Sequence, residues 1–486
     1  MPKDPILDRV ILQLSTHDVV RFRDIIEGGC LITGGLGSGK SSTSARNIAL
    51  SLLSSDYNGL PPYGGLVLTV KSDETEHWIE YAKKTGREKD LIVFNAASGL
   101  SFDPLAYLWH SGGRAAAQIE TIVELFTILM SVGKVYQPSS GERYFEQAVE
   151  ELMRATLVIL SNAGEDISIT AIHKVIASLP IDRQEIDDAN WQQSSECARI
   201  ISKLRQRKDE FTPSQWDDLE IAIVFLLEKF PALDNRTRSN IESTWSGMAS
   251  KFTYDPFRSM FCSGIFDFTP EQTTHERKIV IVDMPVLEYG RETSRLCQIL
   301  VKLIFQRAWL RHQYKPGCCH GGFCFQDEFA LLMHRHEAHF HMVCRSSAIA
   351  PICILPNILN MAAEEFGEQQ PGAKTLGFLG LLSLKIFHAN NETLTNQYAS
   401  DQIGKTYTYI EGWNAGHSEH QHHSGVSANK QLVHLLEPIT FTSLLKPDGD
   451  NPYAEAVVYL SGRTFNATIT RSNPRGLPYL RVHFSR

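Results

Sequence analysis

The stretch from Gly28 to Leu53 reads GGCLITGGLGSGKSSTSARNIALSLL, and it decides the fold. Its apolar beginning, up to Thr33, is typical of a short buried strand. The residues after Ser42 carry apolar side chains at helical spacing. A glycine-rich turn that ends in Lys40 and Ser41 lies between the two. The stretch therefore predicts a strand, a loop and a helix in direct succession.

This loop fills every fixed position of the phosphate-binding pattern. Glycines let backbone N–H groups curl around phosphates, the Lys40 ammonium suits the β/γ oxygens, and the Ser41 hydroxyl suits Mg²⁺. The sequence therefore predicts ATP and Mg²⁺ as cofactors. The alternative, a glycine-rich turn that matches by chance, is disfavoured by the flanking strand and helix. The residues predicted to hold the nucleotide are Gly34, Gly35, Gly37, Ser38, Gly39, Lys40, Ser41 and Ser42.

A phosphate loop needs an acidic residue at the end of a second strand, and two apolar runs offer one. The first ends at Asp283, and the second, FCFQDE, ends at Asp327 and Glu328. We favour the second, because Asp327 can hold the metal shell while Glu328 polarises the attacking water. Asp283 then caps the turn at Pro285. Without the glycine loop, two solvated carboxylates at a helix start would be the better interpretation.

Composition places the chain among ordinary globular proteins. It has 486 residues, 43% of them hydrophobic, and 47 Lys and Arg against 55 Asp and Glu give a net charge of −8. Disordered and fibrous classes are excluded, and nucleic-acid binding needs a local basic channel. No apolar run reaches the ~18 residues of a membrane helix, and the start of the chain lacks a signal-peptide pattern. With nine cysteines, an odd number, we expect reduced thiols in a cytoplasmic chain without a membrane span.

The texture of the chain changes twice. Strand-like runs at Gly65–Lys71 and Leu91–Asn95 follow the first helix, as expected of a parallel sheet buried on both faces. From about Gly112 to Phe257 the apolar residues recur at helical intervals, and strand-like runs return near Lys278. The predicted fold class is therefore α/β with a helical insertion.

Two features near the C-terminus concern local structure. The polar, histidine-rich stretch Gly412–Ser424 indicates a mobile loop, in which the histidines are solvated rather than ligating. The segments AEAVVYL and RTFNATI, joined by Ser461 and Gly462, predict two strands linked by a turn. The histidines concerned are His417, His420, His422 and His423.

A cluster of cysteines and histidines offers the residue types of a zinc site. The spacing of His336 and His339 misses the i, i+4 pair of a zinc hydrolase. We favour reduced thiols beside a polar helix face over a metal. The residues concerned are Cys318, Cys319, His320, Cys324, His334, His336, His339 and His341.

In their order and spacing, these motifs resemble the TraD/TraG-type coupling ATPases of conjugation and type IV secretion, within the HerA/FtsK class of ring translocases. The resemblance spans nearly the whole chain. Besides the glycine loop and Gln326–Phe329, it is carried by Val70-Lys71-Ser72-Asp73, Phe94-Asn95, Phe102-Asp103-Pro104-Leu105, the IVIVDMP strand, Ala389-Asn390-Asn391-Glu392-Thr393 and Ile403-Gly404.

The resemblance implies a RecA-like P-loop NTPase domain formed by residues 1–110 and 259–486, with an inserted all-α domain at 111–258. It also implies a homo-oligomeric ring, a hexamer, that hydrolyses ATP to move DNA or a nucleoprotein cargo through its pore. A protein partner is expected, but the sequence does not identify it.

The chain departs from the family's pattern at three places. The family usually carries an N-terminal membrane anchor, for which this sequence has no candidate. Thr69 stands where the Asp-x-Lys signature after the second strand has its acid. At the end of the ICIL strand, Pro356 and Asn357 stand where a glutamine senses the γ-phosphate. Asn357 is expected to take over that hydrogen bond with a shorter reach.

Arg345 precedes the ICIL strand by the interval at which similar coupling ATPases place an arginine supplied to the neighbouring subunit's nucleotide. A guanidinium there would neutralise charge in the transition state. A helix-end cation that satisfies carbonyl groups is equally compatible with the sequence.

Two basic segments are candidates for DNA contact, and a solvated helix face is the alternative for both. They are Arg199, Lys203, Arg205, Arg207 and Lys208 in the insertion, and Arg463, Arg471, Arg475, Arg481 and Arg486 in the tail.

Two other functions stay open. One is a soluble HerA-like motor in DNA processing or anti-phage defence that works with a nuclease or other effector. The other is an ATP-gated assembly or receptor protein with slow hydrolysis, which the substitutions at Thr69 and Asn357 allow.

Overall fold

The computed structural model describes residues 4–55, 59–132, 140–317, 320–418 and 421–486, with side chains at all of these except 140–143, 365 and 410–427. The strands are β1 Val10–Gln13, β2 Val19–Arg21, β3 Cys30–Thr33, β4 Gly64–Thr69, β5 Leu91–Phe94, β6 Ile279–Asp283, β7 Gly322–Gln326, β8 Ile349–Leu355, β9 Leu384–His388, β10 Lys405–Ser418, β11 Gln421–His434, β12 Tyr453–Leu460 and β13 Tyr479–Ser485.

Helices surround the strands. They are α1 Phe22–Ile25, α2 Arg46–Leu53, α3 Glu74–Thr85, α4 Pro104–His110, α5 Ala115–Ser131, α6 Ser140–Ala163, α7 Ile169–Ala177, α8 Ala189–Ser194, α9 Glu196–Gln206, α10 Pro213–Val224, α11 Asn235–Ala249, α12 Phe257–Phe261, α13 Pro270–His275, α14 Val286–Tyr289, α15 Arg291–Arg311, α16 Phe329–Leu332, α17 Glu337–Val343, α18 Ile358–Phe366, α19 Ala373–Leu381 and α20 Thr393–Ile403. Short π turns lie at Ser41–Ala45 and Phe225–Lys229, and 3₁₀ turns at Glu88–Asp90, Glu185–Asp187, Lys208–Glu210, Ser250–Phe252, Cys344–Ser347, Pro438–Thr442 and Asn466–Thr468.

The central sheet has nine strands within the described ranges, in the order β13-β12-β9-β3-β8-β7-β4-β6-β5. The run from β9 to β5 is parallel throughout, and β12 and β13 extend it antiparallel. Strands buried on both faces need continuous apolar runs, as the IVIVD of β6 provides. The strand that precedes the glycine loop lies in the middle, between β8 and β9. The predicted α/β class is confirmed.

The helices α5 to α12 form the insertion between β5 and β6, so the predicted all-α insertion is confirmed. Its two ends are clipped together by Asp103, whose carboxylate accepts hydrogen bonds from the N–H groups of Leu105 and Ala106 at 3.0 Å and of Gly264 at 3.0 Å. The clip lies just outside the proposed bounds 111–258. It explains why an acid followed by proline stands where the insertion begins.

The apolar core of the insertion continues into one face of the sheet. Phe126 and Trp245 meet edge to face inside the insertion, with their ring centroids 5.0 Å apart. They belong to one buried cluster with Leu66 of β4, Val280 of β6 and Phe305 of α15. The insertion therefore covers a sheet face that would otherwise meet water.

The predicted mobile loop at Gly412–Ser424 is wrong. The backbone there belongs to β10 and β11, an antiparallel hairpin with 14 residues in each strand. Residues 419 and 420 lie outside the described ranges. A histidine-rich composition suggested a loop, whereas the backbone of the two segments pairs in a regular antiparallel ladder.

The predicted pairing of AEAVVYL with RTFNATI is also wrong. The first segment is the strand β12, but its partners are β13 and β9. The chain after Gly462 turns away because Asp18, beside β2, accepts hydrogen bonds from the N–H groups of Asn466 and Ala467 at 2.8 Å. Those N–H groups are therefore not available to a hairpin ladder.

Across the described parts of the chain, every helix is either too short or too polar to cross a bilayer. The cysteines described there, which exclude Cys318 and Cys319, are unpaired thiols.

Candidate nucleotide-binding site

The glycine-rich loop is anchored to both strands that flank β3. The N–H of Gly34 donates to the carbonyl of Leu355 at 3.3 Å, and the N–H of Gly35 donates to the carbonyl of Ala389 at 2.8 Å. Leu355 ends β8, and Ala389 follows directly after β9. The Ala389–Thr393 motif is therefore part of the loop's support.

Three glycines of the loop are required by the geometry. Gly37 and Gly39 have φ angles of +69° and +87°, in the left-handed region that favours glycine. A Cβ on Gly39 would lie 2.7 Å from the Cβ of Ala454, and one on Gly34 would lie 2.6 Å from the Cβ of His388. Side chains at these positions would distort the loop.

The helix after the loop begins with the π turn Ser41–Ala45. Its start is held by the hydroxyl of Thr43, which donates to the carbonyl of Gly39 at 2.7 Å. The hydroxyl of Ser44 contacts Nε2 of the buried His388 at 2.7 Å. The first N–H groups of a helix lack intrahelical partners, so this end of the helix suits an anion.

The acidic strand end lies next to the loop. The strand β7 is separated from β3 only by β8, and Asp327 follows it directly. One carboxylate oxygen of Asp327 is 3.4 Å from the hydroxyl oxygen of Ser41. These two oxygen ligands, predicted to share a Mg²⁺ shell, are thus brought together, and such oxygens are what Mg²⁺ prefers.

Asp327 is kept ionised by its neighbours. Burial alone would raise the pKa of the Asp327 carboxyl. Hydrogen bonding with Glu74, the charge of the Lys71 ammonium and the hydrogen bond from the N–H of Glu328 outweigh burial, so the pKa lies below its usual value. The N–H of Glu328 donates to Asp327 at 2.9 Å. A carboxylate that remains charged is suited to a cation.

Glu328 has an uncommon backbone for a residue with a side chain. Its φ is +50°, in the left-handed region. Such strain costs of order 1–3 kcal/mol and persists only where the surroundings fix it. The carboxylate of Glu328 is 27% exposed, so it can meet water while Asp327 is buried.

Lys71 joins the acidic residues of the site, and sequence analysis did not assign it a role. Its ammonium lies 3.2 Å from Asp327, 3.0 Å from Glu328 and 3.2 Å from Glu74. Burial alone would lower the pKa of Lys71. The three neighbouring acidic groups outweigh burial and raise the pKa above its usual value, so the ammonium stays charged. The sequence signal for Lys71 was its place in the Val70–Asp73 motif, which the resemblance to the coupling ATPases includes.

Glu74 is the second residue that sequence analysis missed. It begins α3, and burial together with the charge of Asp327 raises its pKa well above the usual range. Glu74 thus adds a carboxyl group beside Lys71 and Asp327. Thr69 donates to the carbonyl of Val282 at 3.2 Å.

The Lys40 ammonium is available for phosphate. Within the described residues it has no carboxylate at ion-pair distance, although burial lowers its pKa and the charges of Asp327 and Glu328 partly offset this. A cavity of about 310 Å³, lined in part by Ser41, Asp327 and Arg486, adjoins the site.

Asp283 lies elsewhere. Its strand, β6, is separated from β3 by β8, β7 and β4. Its carboxylate accepts a hydrogen bond from the side-chain amide of Asn95 at 2.9 Å. The predicted cap on the turn at Pro285 is replaced by this contact between neighbouring strand ends.

Asn357 lies at the carboxyl ends of the parallel strands, and Arg345 lies at their amino ends. Asn357 caps the N-terminus of α18 at the carboxyl end of β8, where its side-chain oxygen accepts from the N–H of Asn360 at 2.8 Å. Arg345 precedes β8 and forms an ion pair with Glu27 at 3.4 Å. Arg345 is therefore not part of its own chain's site.

The suspected zinc residues are used differently. His334 lies 3.0 Å and His341 3.5 Å from the fully buried carboxylate of Glu337, which Lys302 neutralises at 2.6 Å. Among the residues that the structure describes, no group of three or more side chains is arranged to hold a metal. Cys318 and Cys319 fall outside those residues.

The basic segments are largely paired. Arg199 and Lys203 contact Glu165 at 3.1 and 2.8 Å, and Arg207 contacts Glu210 at 2.8 Å. These pairs favour a solvated helix face for the insertion segment. In the tail, Arg463 donates to the carbonyl of Val19, and Arg481 donates to the carboxylate of Glu455. Arg471 and Arg475 are exposed, and Arg486 lines the cavity beside Ser41.

Comparison with known proteins identifies the fold. No family model and no curated protein matches the sequence. The unbound form of the bacterial conjugative coupling protein TrwBdeltaN70 covers 98% of this chain and 89% of its own, with a TM-score of 0.59 and 14% identity. The plasmid coupling protein TrwB with the ATP analogue ADPNP covers 98% of this chain and 90% of its own, with a TM-score of 0.59 and 14% identity. TrwB with ADP and Mg²⁺ covers 98% of this chain and 90% of its own, with a TM-score of 0.57 and 13% identity. The fold implied by the resemblance, a RecA-like P-loop NTPase domain with an all-α insertion, is thus confirmed over nearly the whole chain.

Proposed function

We propose that this chain binds ATP with Mg²⁺ and hydrolyses it to move DNA, as a conjugative coupling ATPase does. The observation that carries the proposal is the 3.4 Å approach of the Ser41 hydroxyl to the Asp327 carboxylate beside the anchored glycine loop. Support also comes from the TrwB structures of the same fold, which hold an ATP analogue or ADP and Mg²⁺.

Each residue of the site has a chemical task in this proposal. Lys40 neutralises the β/γ oxygens of the nucleotide, and Ser41 and Asp327 are the ligands offered to the metal. Bound Mg²⁺ would supply positive charge to the phosphates. Asn357 offers its side-chain NH₂ group to the γ-phosphate, because its oxygen already accepts from Asn360.

Glu328 is the proposed general base. Its carboxylate is partly exposed and therefore reaches water, whereas Asp327 does not. The Lys71 ammonium, 3.0 Å from Glu328, holds this carboxylate in place. Removal of a general base typically lowers a rate by roughly 10²–10⁴-fold.

Arg345 is proposed to act on the nucleotide of the neighbouring subunit in a homo-oligomeric ring, a hexamer. It precedes β8, at the end of the sheet opposite its own glycine loop, so it does not reach the nucleotide of its own chain. An arginine supplied in this way adds roughly 10³–10⁵ in rate to P-loop enzymes. The ion pair with Glu27 supports the other interpretation, a surface cation.

Mixing two inactive variants tests the role of Arg345. Arg345→Ala and Lys40→Ala are each expected to lack turnover, and mixed rings are expected to recover part of it. Recovery follows because some interfaces pair an intact Lys40 with an intact Arg345. The measurement is phosphate release against mixing ratio, with subunit exchange verified by fluorescence energy transfer.

Glu27→Ala is the matched control, since it removes the surface ion pair and keeps the arginine. It is expected to hydrolyse ATP normally. A mixture of verified exchange that stays inactive at every ratio, or an active Arg345→Ala variant, would show that Arg345 is only a surface cation.

The experiment that tests the proposed function is ATP turnover measured with and without DNA. We expect DNA to raise the rate, because a motor couples hydrolysis to movement along its cargo. Hydrolysis that DNA does not change would favour an ATP-gated assembly protein instead.

A further inference from the structure

The hairpin of β10 and β11 stands apart from the rest of the fold. Within the described residues the two strands pair only with each other. Each has 14 residues, which at about 3.3 Å per residue gives a ribbon roughly 40 Å long. An isolated two-stranded hairpin is at best marginally stable in water. A long hairpin that pairs with no other strand therefore calls for a function.

The pairing register places ring-bearing and cationic residues on one face. Tyr407 pairs with Leu432 and Tyr409 with Lys430, so these residues share one face of the ribbon. Tyr407 is 63%, Tyr409 68% and Leu432 55% exposed. The Lys430 ammonium lies 4.4 Å from the centroid of the Tyr407 ring.

The opposite face differs in chemistry. The in-phase positions there, as far as their side chains are described, are Thr406, Thr408, Asn429, Gln431 and Val433. These are mostly small or polar residues without rings or charge. The rings and the cations are therefore concentrated on one side of the ribbon.

We infer that the ring-bearing face of this hairpin binds single-stranded nucleic acid, an inference that rests on the proposed handling of DNA. Proteins that bind single strands without sequence preference combine aromatic stacking platforms with cations along the backbone. The described side chains of the hairpin, 405–409 and 428–434, include no carboxylate and two lysines, Lys405 and Lys430. Lys405 is paired with Asp401 of α20 at 3.3 Å, so Lys430 is the lysine left for phosphate. This charge complements phosphate.

The ribbon covers a useful length of strand. At about 3.4 Å per phosphate, the spacing along one strand of duplex DNA, roughly 40 Å corresponds to about twelve nucleotides. A neighbouring copy of this chain is a poorer occupant, because lysines and other charged residues are depleted from the cores of interfaces between subunits. Here the described ring-bearing face carries two tyrosines and one leucine together with Lys405, Lys430 and His434.

The base of the hairpin is fixed to the helix that follows the loop's support. Asp401 of α20 contacts His434 at 2.9 Å and Lys405 at 3.3 Å. The helix α20 begins a few residues after Ala389, which accepts from the N–H of Gly35 in the glycine loop. A strand bound on the hairpin would thus be mounted on an element adjoining the nucleotide site.

The test is binding of dye-labelled oligodeoxythymidine to the full chain, followed by fluorescence anisotropy at constant salt. The double variant Tyr407→Ala/Tyr409→Ala is expected to raise the Kd roughly tenfold or more, since each stacked base loses a ring. Tyr407→Trp/Tyr409→Trp is expected to retain tight binding, because stacking needs a ring and not a hydroxyl. Tyr254→Ala is the control, since Tyr254 is 74% exposed on the insertion.

Three results would overturn the inference. They are an unchanged Kd in the alanine double variant, equal losses in the tryptophan and alanine variants, and a loss of subunit association by sedimentation with DNA binding intact. The last would assign the face to a neighbouring copy. The failure of the proposed function looks different, because then the unaltered chain would hydrolyse ATP without binding or responding to any DNA.

Discussion

Replacing Glu328 by glutamine is expected to lower ATP turnover by roughly 10²-fold or more while ATP remains bound. The amide keeps the shape of the side chain but cannot accept the proton of the attacking water. Asp327, which contacts Ser41 and is buried, stays in place to support nucleotide binding. Phosphate release under steady state gives turnover, and a fluorescent ATP analogue gives the Kd.

Asp283→Asn is the matched control for that variant, because it makes the same change at the end of a more distant strand. Asp283 only accepts from Asn95 at 2.9 Å among the described hydrogen bonds, so turnover is expected to stay nearly normal. The reverse pattern, with Asp283→Asn inactive and Glu328→Gln active, would show that the acidic strand is misassigned.

Replacing Lys40 by alanine is expected to remove most ATP binding and turnover. The Lys40 ammonium is the cation that the glycine loop offers to the β/γ-phosphates, and Lys71 is already engaged by Asp327, Glu328 and Glu74. A substitute charge is therefore not at hand. The measurement is the Kd for an ATP analogue by calorimetry, together with phosphate release.

Lys84→Ala is the control for the loss of a lysine. Lys84 forms an exposed ion pair with Glu80 on α3, which contributes little to stability. Its Kd is expected to equal that of the unaltered chain. Undiminished hydrolysis by Lys40→Ala would remove the nucleotide-site assignment.

The elements that local sequence determines were predictable. A buried strand followed by glycines that need left-handed φ angles and by an amphipathic helix has few alternatives, and Cys30–Leu53 forms that unit. The continuous apolar runs of β4 and β6 likewise predicted buried strands. The histidine-rich composition of Gly412–Ser424 suggested a loop, whereas the segment forms part of the antiparallel ladder of β10 and β11.

The missing parts of the site depend on which strands are neighbours. Glu74 looks like an ordinary acid in the first turn of a helix, and its contact with Asp327 exists only because β4 lies beside β7. Lys71 follows β4 and reaches the acids of β7 for the same reason. Sheet order is set by long-range packing, so the local pattern could not reveal these contacts.

The most direct test of the central claim, that this chain spends ATP to move DNA, is the rate of ATP hydrolysis by the full chain with Mg²⁺, with and without DNA. The assay compares single-stranded and duplex DNA, and Lys40→Ala defines the background. We expect hydrolysis above that background and a clear rise with at least one form of DNA. Hydrolysis that neither form of DNA changes, or a rate no higher than that of Lys40→Ala, would contradict it.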